Sequence, residues 1–295
     1  MKILIATDGS LNGEKSEMDL LRAGMPEQFD AIVLSVADVQ LPRDQATMTE
    51  GARVRVETAI EEAKEIAQES AERLKRFFPN SNFTSEAIAD SPAWGIIKRA
   101  EEWDADLIVV GPKGLCGLGR MIFGSVSQKI VNHSHCSVRI TRPTEKKLKD
   151  KIKLVLGMDG STGAIRAADM VASRQWPSGT EIMIIAVLNP RLSTGTIPFA
   201  NVANSIQESY RDEEEWIRKI VKQESEKLKN AGLNVTERIL FGDPKRLLIE
   251  DAEDGSIDCI FVGARGLSRV ERFFTGSVSH AVASRAYCSV EIVRE

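Results

Sequence analysis

Two glycine-rich segments with the same spacing carry the strongest chemical signal in the sequence. Residues 111–114 read Gly-Pro-Lys-Gly and are followed, after nine intervening residues, by Gly-Ser; residues 263–266 read Gly-Ala-Arg-Gly and are followed by Gly-Ser at the same distance. Glycines let a backbone approach a ligand closely, and the unpaired N–H groups at a helix start attract anions. The segments therefore predict phosphate binding. Tight turns that only connect a strand to a helix would need the same glycines, and a duplication copies turns as well as sites.

The residues between the glycines distinguish the two segments. Lys113 and Arg265 occupy the same position and can neutralise phosphate charge. Pro112 has no N–H group, whereas the equivalent Ala264 keeps one. If that amide contacts phosphate, its loss costs about 1.5–3 kcal/mol. The sequence therefore predicts weaker ligand binding at the first segment.

An acidic residue follows the first apolar run in each half of the chain. Asp8 follows residues 3–7, Asp159 follows residues 154–158, and Gly-Ser comes next in both places. An acidic side chain at a strand end near a phosphate loop often binds a sugar hydroxyl. A turn or a helix cap would use Asp in the same way, so both interpretations stay open here.

These signals occur twice because the chain contains two copies of one domain. Residues 2–10 match 153–161 at an offset of 151, and the glycine segments match at an offset of 152. Such a repeat decides the architecture. We predict two domains, residues 1–142 and 152–295, joined by a polar linker at 143–151.

Strand and helix patterns alternate within each copy. Apolar residues spaced by three and four predict an amphipathic helix over residues 52–78, and the second copy has its long helix at 206–231 after a loop at 189–204. Alternation implies a parallel sheet covered on both faces, with right-handed crossovers. Such sheets bind ligands at the carboxyl ends of strands, where the strand order reverses. The acidic residues and glycine segments would flank one crevice if the first and fourth strands are neighbours.

The composition is that of an ordinary globular protein. Hydrophobic residues make up 42% and charged residues 28%, and the net charge of -4 argues against a nucleic-acid partner. No apolar run approaches the length of a membrane span, so we expect no membrane contact. The four cysteines include no C-x-x-C pair, and free thiols suit a reducing compartment. We therefore expect a cytoplasmic protein.

The motifs resemble those of the universal stress protein family in its tandem two-domain form. The resemblance covers nearly the whole chain and rests on the strand-Asp-Gly-Ser start and on the glycine signature, both complete in each copy. That signature is similar to the one in the nucleotide-binding branch. The resemblance implies an α/β fold of two tandem doubly wound (Rossmann-like) domains, each with a five-stranded parallel sheet of order 3-2-1-4-5. It also implies an internal pseudo-dimer in which residues 138–141 pair with 290–293.

The resemblance further implies the ligand and its contacts. The ligand would be ATP, or ADP or another adenine nucleotide, together with Mg²⁺. Asp8 and Asp159 would contact the ribose, and Val36 and Val187 would meet the adenine. The phosphates would lie on Gly111, Gly114, Gly124, Ser125 and Val126 in the first copy, and on Gly263, Gly266, Gly276, Ser277 and Val278 in the second.

Residue sets for catalysis or metal binding do not recur in both copies. His133, His135 and Cys136 lie close together, but Arg285 and Tyr287 replace the histidines in the second copy, so we predict neither a metal site nor catalytic residues. The expected function is that of a nucleotide-dependent sensor or switch in stress response. The alternatives are a pseudo-dimeric scaffold that binds no nucleotide and an enzyme with slow ATP hydrolysis. A homodimer and unknown protein partners stay open.

Overall fold

Strands and helices alternate in both halves of the computed structural model. The structure describes residues 1–39, 48–111, 113–115, 121–142, 146, 150–188, 200–250, 252, 255–266 and 275–294. Pro112, most of the predicted linker and much of the predicted loop at 189–204 lie outside the described residues.

The elements of the first half follow the predicted order. They are β1 (Lys2–Ala6), α1 (Leu11–Asp19), β2 (Asp30–Asp38), α2 (Glu50–Phe77), β3 (Asn82–Asp90), α3 (Pro92–Trp103), β4 (Leu107–Val110), β5 (Lys113–Leu115), β6 (Met121–Ile122), α4 (Ser125–His133) and β7 (Ser137–Ile140). The short hairpin of β5 and β6 is not predicted, because strands of two or three residues show no periodicity. It lies within the first glycine segment.

The second half repeats this order. Its elements are β8 (Lys153–Met158), α5 (Thr162–Ser173), β9 (Glu181–Leu188), α6 (Ala200–Asn230), β10 (Asn234–Phe241), α7 (Pro244–Glu250), β11 (Cys259–Gly263), α8 (Ser277–Arg285) and β12 (Ser289–Val293). Helix α6 begins at Ala200, earlier than the predicted residue 206. Between Pro198 and Gly232 the sequence has no Gly or Pro to break a helix.

The strands of each half have the order 3-2-1-4-5. The first half is ordered β3-β2-β1-β4-β7 and the second β10-β9-β8-β11-β12. Neighbours within each half are parallel; Ile5 pairs with Val109 in one, and Val155 with Ile260 in the other. The predicted doubly wound fold is therefore confirmed, and the first and fourth strands are neighbours in both domains.

The two halves join through their last strands. Strands β7 and β12 run antiparallel, with Val138 opposite Ile292, Arg139 opposite Glu291 and Ile140 opposite Val290. This pairing fuses both sheets into one sheet of ten strands. The predicted internal pseudo-dimer is confirmed.

A network of buried charges lies at this junction. Arg139 is 1% exposed and contacts Asp19 at 2.7 Å and Glu291 at 3.0 Å, and Arg174 also binds Glu291. Burial alone lowers the pKa of Arg139, but the neighbouring carboxylates, Asp19 first, raise it well above its usual range. The network therefore keeps opposite charges paired in a region without water access, where an unpaired charge is costly.

Neutralising one member of this network tests its contribution to stability. Glu291→Gln keeps the side-chain shape but leaves Arg139 and Arg174 without half of their compensating charge. We expect the free energy of unfolding in urea to fall by about 3–5 kcal/mol. The matched control is Glu214→Gln, which removes a partly exposed helix pair with Arg218 and should cost about 0.5 kcal/mol or less. Equal losses for the two variants would contradict this account of the junction.

Candidate functional site

A crevice opens where β8 and β11 separate at their carboxyl ends. It encloses a cavity of about 310 Å³. Every residue that the sequence predicts for the second site lines it: Asp159, Val187, Gly263, Gly266, Gly276, Ser277 and Val278. These residues come from four separate stretches of the chain, and the doubly wound topology brings them together at the switch point of the sheet.

The start of helix α8 forms one wall of the crevice. The helix begins after Gly276, and no side chain caps it. The first N–H groups of a helix have no partner within it, so the amides of Ser277 and Val278 form a positively polarised edge on the cavity. Arg265, which is half-buried, lines the same cavity and adds a positive charge. This end of the crevice suits an anion.

Two loop amides that could have faced an anion are used elsewhere. The Ala264 N–H donates to the carbonyl of Val293 at 2.8 Å, and the Gly276 N–H donates to the carbonyl of Ala264 at 2.7 Å. The premise that the amide equivalent to Pro112 binds phosphate is therefore wrong for the second loop. Pro112 itself lies outside the described residues.

Close backbone packing explains one of the predicted glycines. A Cβ added to Gly263 would lie 2.5 Å from the carbonyl carbon of Gly163 and 2.7 Å from the amide nitrogen of Ala164. The end of β11 thus rests on the first turn of α5. This glycine is required by the packing of strand on helix, whether or not a ligand binds.

Gly266 lies close to the acidic residue across the crevice. A Cβ on Gly266 would lie 2.5 Å from Oδ2 of Asp159. The other carboxylate oxygen of Asp159 accepts from the amide of Ser161 at 3.0 Å, and Ser161 caps α5. Asp159 therefore has a turn role, as one interpretation of the sequence held, while its Oδ2 stands at the edge of the cavity.

The opposite end of the crevice is apolar. Val187, Pro244 and Leu248 line it, and a Cβ added to Gly157 would come within 3.1 Å of Val262. A slot with aliphatic walls and a glycine floor suits a flat, largely apolar ring. The described lining of the cavity therefore combines apolar side chains, a carboxylate and a cationic helix start.

The first domain places its predicted residues in the same positions. Asp8 follows β1 and accepts from the Ser10 amide at 3.0 Å, and Gly111 follows the neighbouring β4. Helix α4 starts after Gly124, again without a side-chain cap, so Ser125 and Val126 open the helix as their equivalents do. Val36 lies near the end of β2 and packs against the core. Gly114 differs, because it lies in strand β5 rather than in an open loop.

Other titratable groups are arranged for structure. His135 Nδ1 lies 2.6 Å from Glu101, and His133 stacks on Trp94 with ring centroids 5.1 Å apart. Burial raises the pKa of the Cys136 thiol to about 11. In the described part of the chain, no group of three or more His, Cys, Asp or Glu is placed to hold a metal ion, and no helix is long and apolar enough to cross a membrane.

Sequence reasoning missed several residues of the second crevice. Gly163 has no glycine counterpart in the first copy, so the repeat gives no signal for it. Pro244 does recur, as Pro92 of the first copy, but a proline at the first position of a helix is explained by helix geometry alone. Leu248 has the sequence pattern of an ordinary core residue of α7, so the sequence gives no signal that it lines a site.

The family comparison decides the assignment. The model of the universal stress protein family matches residues 1–142 and, separately, residues 152–294. The chain belongs to the universal stress protein family. It contains two such domains in tandem.

Curated universal stress proteins resemble one domain or both. One from Methanocaldococcus jannaschii is 31% identical over 150 residues, which cover 49% of this chain and 84% of the relative. One from Mycolicibacterium smegmatis is 23% identical over 255 residues, which cover 84% of this chain and 80% of the relative. The second match extends across both domains.

Solved structures show the same fold. The crystal structure of a universal stress protein from Archaeoglobus fulgidus superposes with a TM-score of 0.65 at 21% identity, and the match covers 100% of this chain and 96% of that one. A universal stress protein in complex with cAMP matches 49% of this chain and 97% of its own length, at 26% identity and a TM-score of 0.34. The fold of the tandem universal stress protein therefore agrees with the full-length neighbour.

Substituting Gly263 separates packing from ligand binding. Gly263→Ala forces β11 away from α5, and we expect the free energy of unfolding without nucleotide to fall by about 1–3 kcal/mol. The control is Gly51→Ala in the exposed first turn of α2, where a Cβ would meet no atom within 4 Å. That variant should gain about 0.5–1 kcal/mol, since alanine restricts the unfolded chain. An unchanged stability for Gly263→Ala would show that the close contact is not needed.

Proposed function

We propose that this chain is an ATP-binding tandem universal stress protein that acts in stress response as a nucleotide-dependent sensor or switch. The observation that carries the proposal is the crevice of the second domain, which joins the predicted acidic residue, both glycine elements and an apolar slot in one cavity. Nucleotide that binds the folded state preferentially stabilises it and shifts any conformational equilibrium toward the bound form.

The base of the proposed ligand lies at the apolar side chains of the crevice, and its phosphates lie at the start of α8. The adenine occupies the slot formed by Val187, Pro244 and Leu248, and Asp159 accepts a ribose hydroxyl through Oδ2. The phosphates lie against the first turn of α8, where Ser277, Val278 and Arg265 supply donors and positive charge. Mg²⁺ accompanies the phosphates and binds mainly to them and to water.

The first domain is proposed to bind a second nucleotide in the same orientation. Asp8, Val36, Gly111 and the start of α4 would take the roles of their equivalents. Because the Ala264 amide already donates to Val293, a missing N–H at the equivalent Pro112 gives no reason for the two affinities to differ.

The domain boundaries are residues 1–142 and 152–295, with 143–151 as the linker. The described cysteines, Cys136, Cys259 and Cys288, are free thiols, which supports a reducing compartment and hence the cytoplasm. The proposed partner is an adenine nucleotide, while protein partners and a homodimer of the whole chain are left to experiment.

Charge at the helix starts provides the test. Ser277→Asp places a carboxylate where the phosphate would lie, although Asp at the first helical position favours the helix itself. In a calorimetric titration of nucleotide-stripped protein with Mg-ATP, we expect affinity at the second site to fall by about tenfold or more. Ser125→Asp should do the same at the first site.

A neutral variant of the same size serves as the control. Ser277→Asn should keep most of the affinity that Ser277→Asp loses, because it adds bulk without charge. Binding that survives Ser277→Asp and Ser125→Asp together would move the nucleotide away from the helix starts. Failure of the unaltered protein to bind ATP, ADP and cyclic AMP would leave the scaffold alternative, and steady phosphate release would favour the slow ATPase.

A further inference from the structure

The residue that precedes Gly276 in the second domain is bound by the first domain. Thr275, immediately before Gly276, donates its hydroxyl to the carbonyl of Val131 at 2.6 Å, and Val131 belongs to α4 of the first domain. Arg294, the residue after β12, binds the same carbonyl and donates to the Thr275 hydroxyl at 3.2 Å. The position of Gly276 at the crevice thus depends on a helix of the other domain.

The first domain's loop has the reciprocal contact. Phe123, immediately before Gly124, packs edge-to-face on His280 of α8, with ring centroids 5.9 Å apart. Arg142, which is equivalent to Arg294, donates to the carbonyl of Ala283 in α8 at 2.9 Å. The last helix of each domain therefore contacts the residue that precedes the N-cap glycine of the other domain's last helix.

Helices α4 and α8 therefore each take part in both domains, through the helix start in one and through a later residue in the other. The N-terminus of α8 lines the second cavity and that of α4 opens the predicted first site, and a later part of each helix contacts the residue that precedes the N-cap glycine of the other. Each helix has nine residues and spans about 14 Å, so one short continuous helix joins its two contacts.

We propose that the two predicted sites are coupled through α4 and α8, so that a nucleotide at one orders the helix start of the other. This inference rests on the proposed function, because it concerns regulation of the same sites. A ligand on the start of α8 fixes Gly276 and Thr275, and thereby fixes Val131 and α4. A second ligand then meets a helix start that is already ordered, which makes the coupling positive.

The charges around Arg294 support this sign. Burial lowers the pKa of Arg294, and the neighbouring Arg265 lowers it further, so the two guanidinium groups repel each other. Arg265 lines the second cavity. A phosphate beside Arg265 would reduce this repulsion and strengthen the bond from Arg294 to Val131. By thermodynamic linkage, the effect on affinity is the same in both directions.

The test measures the first domain while nucleotide occupies the second site alone. In full-length protein with Ser125→Asp, Mg-ATP is added to saturation of the second site, and hydrogen–deuterium exchange is followed in residues 125–133. We expect exchange in the second half of this segment to slow by about threefold or more. Thr275→Val in the same background should abolish at least half of this protection, because it removes the hydroxyl bond to Val131.

Two further variants test whether the protection depends on the Thr275 hydroxyl or reflects a general effect of substitution. Thr275→Ser keeps the hydroxyl and should keep the protection. Thr58→Val removes a similar hydroxyl-to-carbonyl bond, to Val54 at 2.9 Å within α2, and should also keep it. Protection that persists in Thr275→Val would overturn the proposed route.

The outcomes distinguish the coupling from the proposed function. Binding without any change in residues 125–133 would overturn the coupling and leave nucleotide binding intact. Absence of binding by the unaltered protein would overturn both.

Discussion

The antiparallel contact of β7 with β12 is the constraint on which the rest of the structure depends. It turns two five-stranded sheets into one and buries Arg139 against Asp19 and Glu291. It also brings the last helix of each domain against the glycine loop of the other, as the bond from Thr275 to Val131 shows. The same contact thus governs both the stability of the chain and the shape of its crevices.

The chemistry of that contact specifies which halves pair. Arg139 and Glu291 occupy equivalent positions of the repeat and face each other across the pseudo-two-fold axis. Two copies of the first domain in this register would place one arginine against another, and two copies of the second would oppose two glutamates. Buried like charges are strongly unfavourable, so the two different domains match each other better than either matches itself.

The repeat and the alternation of strands and helices predict two doubly wound domains, and strand ends predict where Asp159 and Gly263 lie, whereas the strand order itself came from the family resemblance. Pattern alone could not show that the Ala264 amide is bonded to Val293, since the same residues fit an open loop. It could not reveal the packing of Gly163 on Gly263 either, because only one copy carries that glycine pair. The buried role of Arg139 was equally hidden, because an arginine in a strand resembles an exposed position until its partner domain is known.

Photoaffinity labelling with 8-azido-ATP tests the central claim most directly, since it reports where the base lies. The account predicts that cross-linked peptides from the second domain contain Val187 or the segment from Pro244 to Leu248, with corresponding labels near Val36 in the first domain, and that excess ATP suppresses them. Labels confined to other surfaces, or labels that excess ATP does not suppress, would contradict the placement of adenine in these crevices.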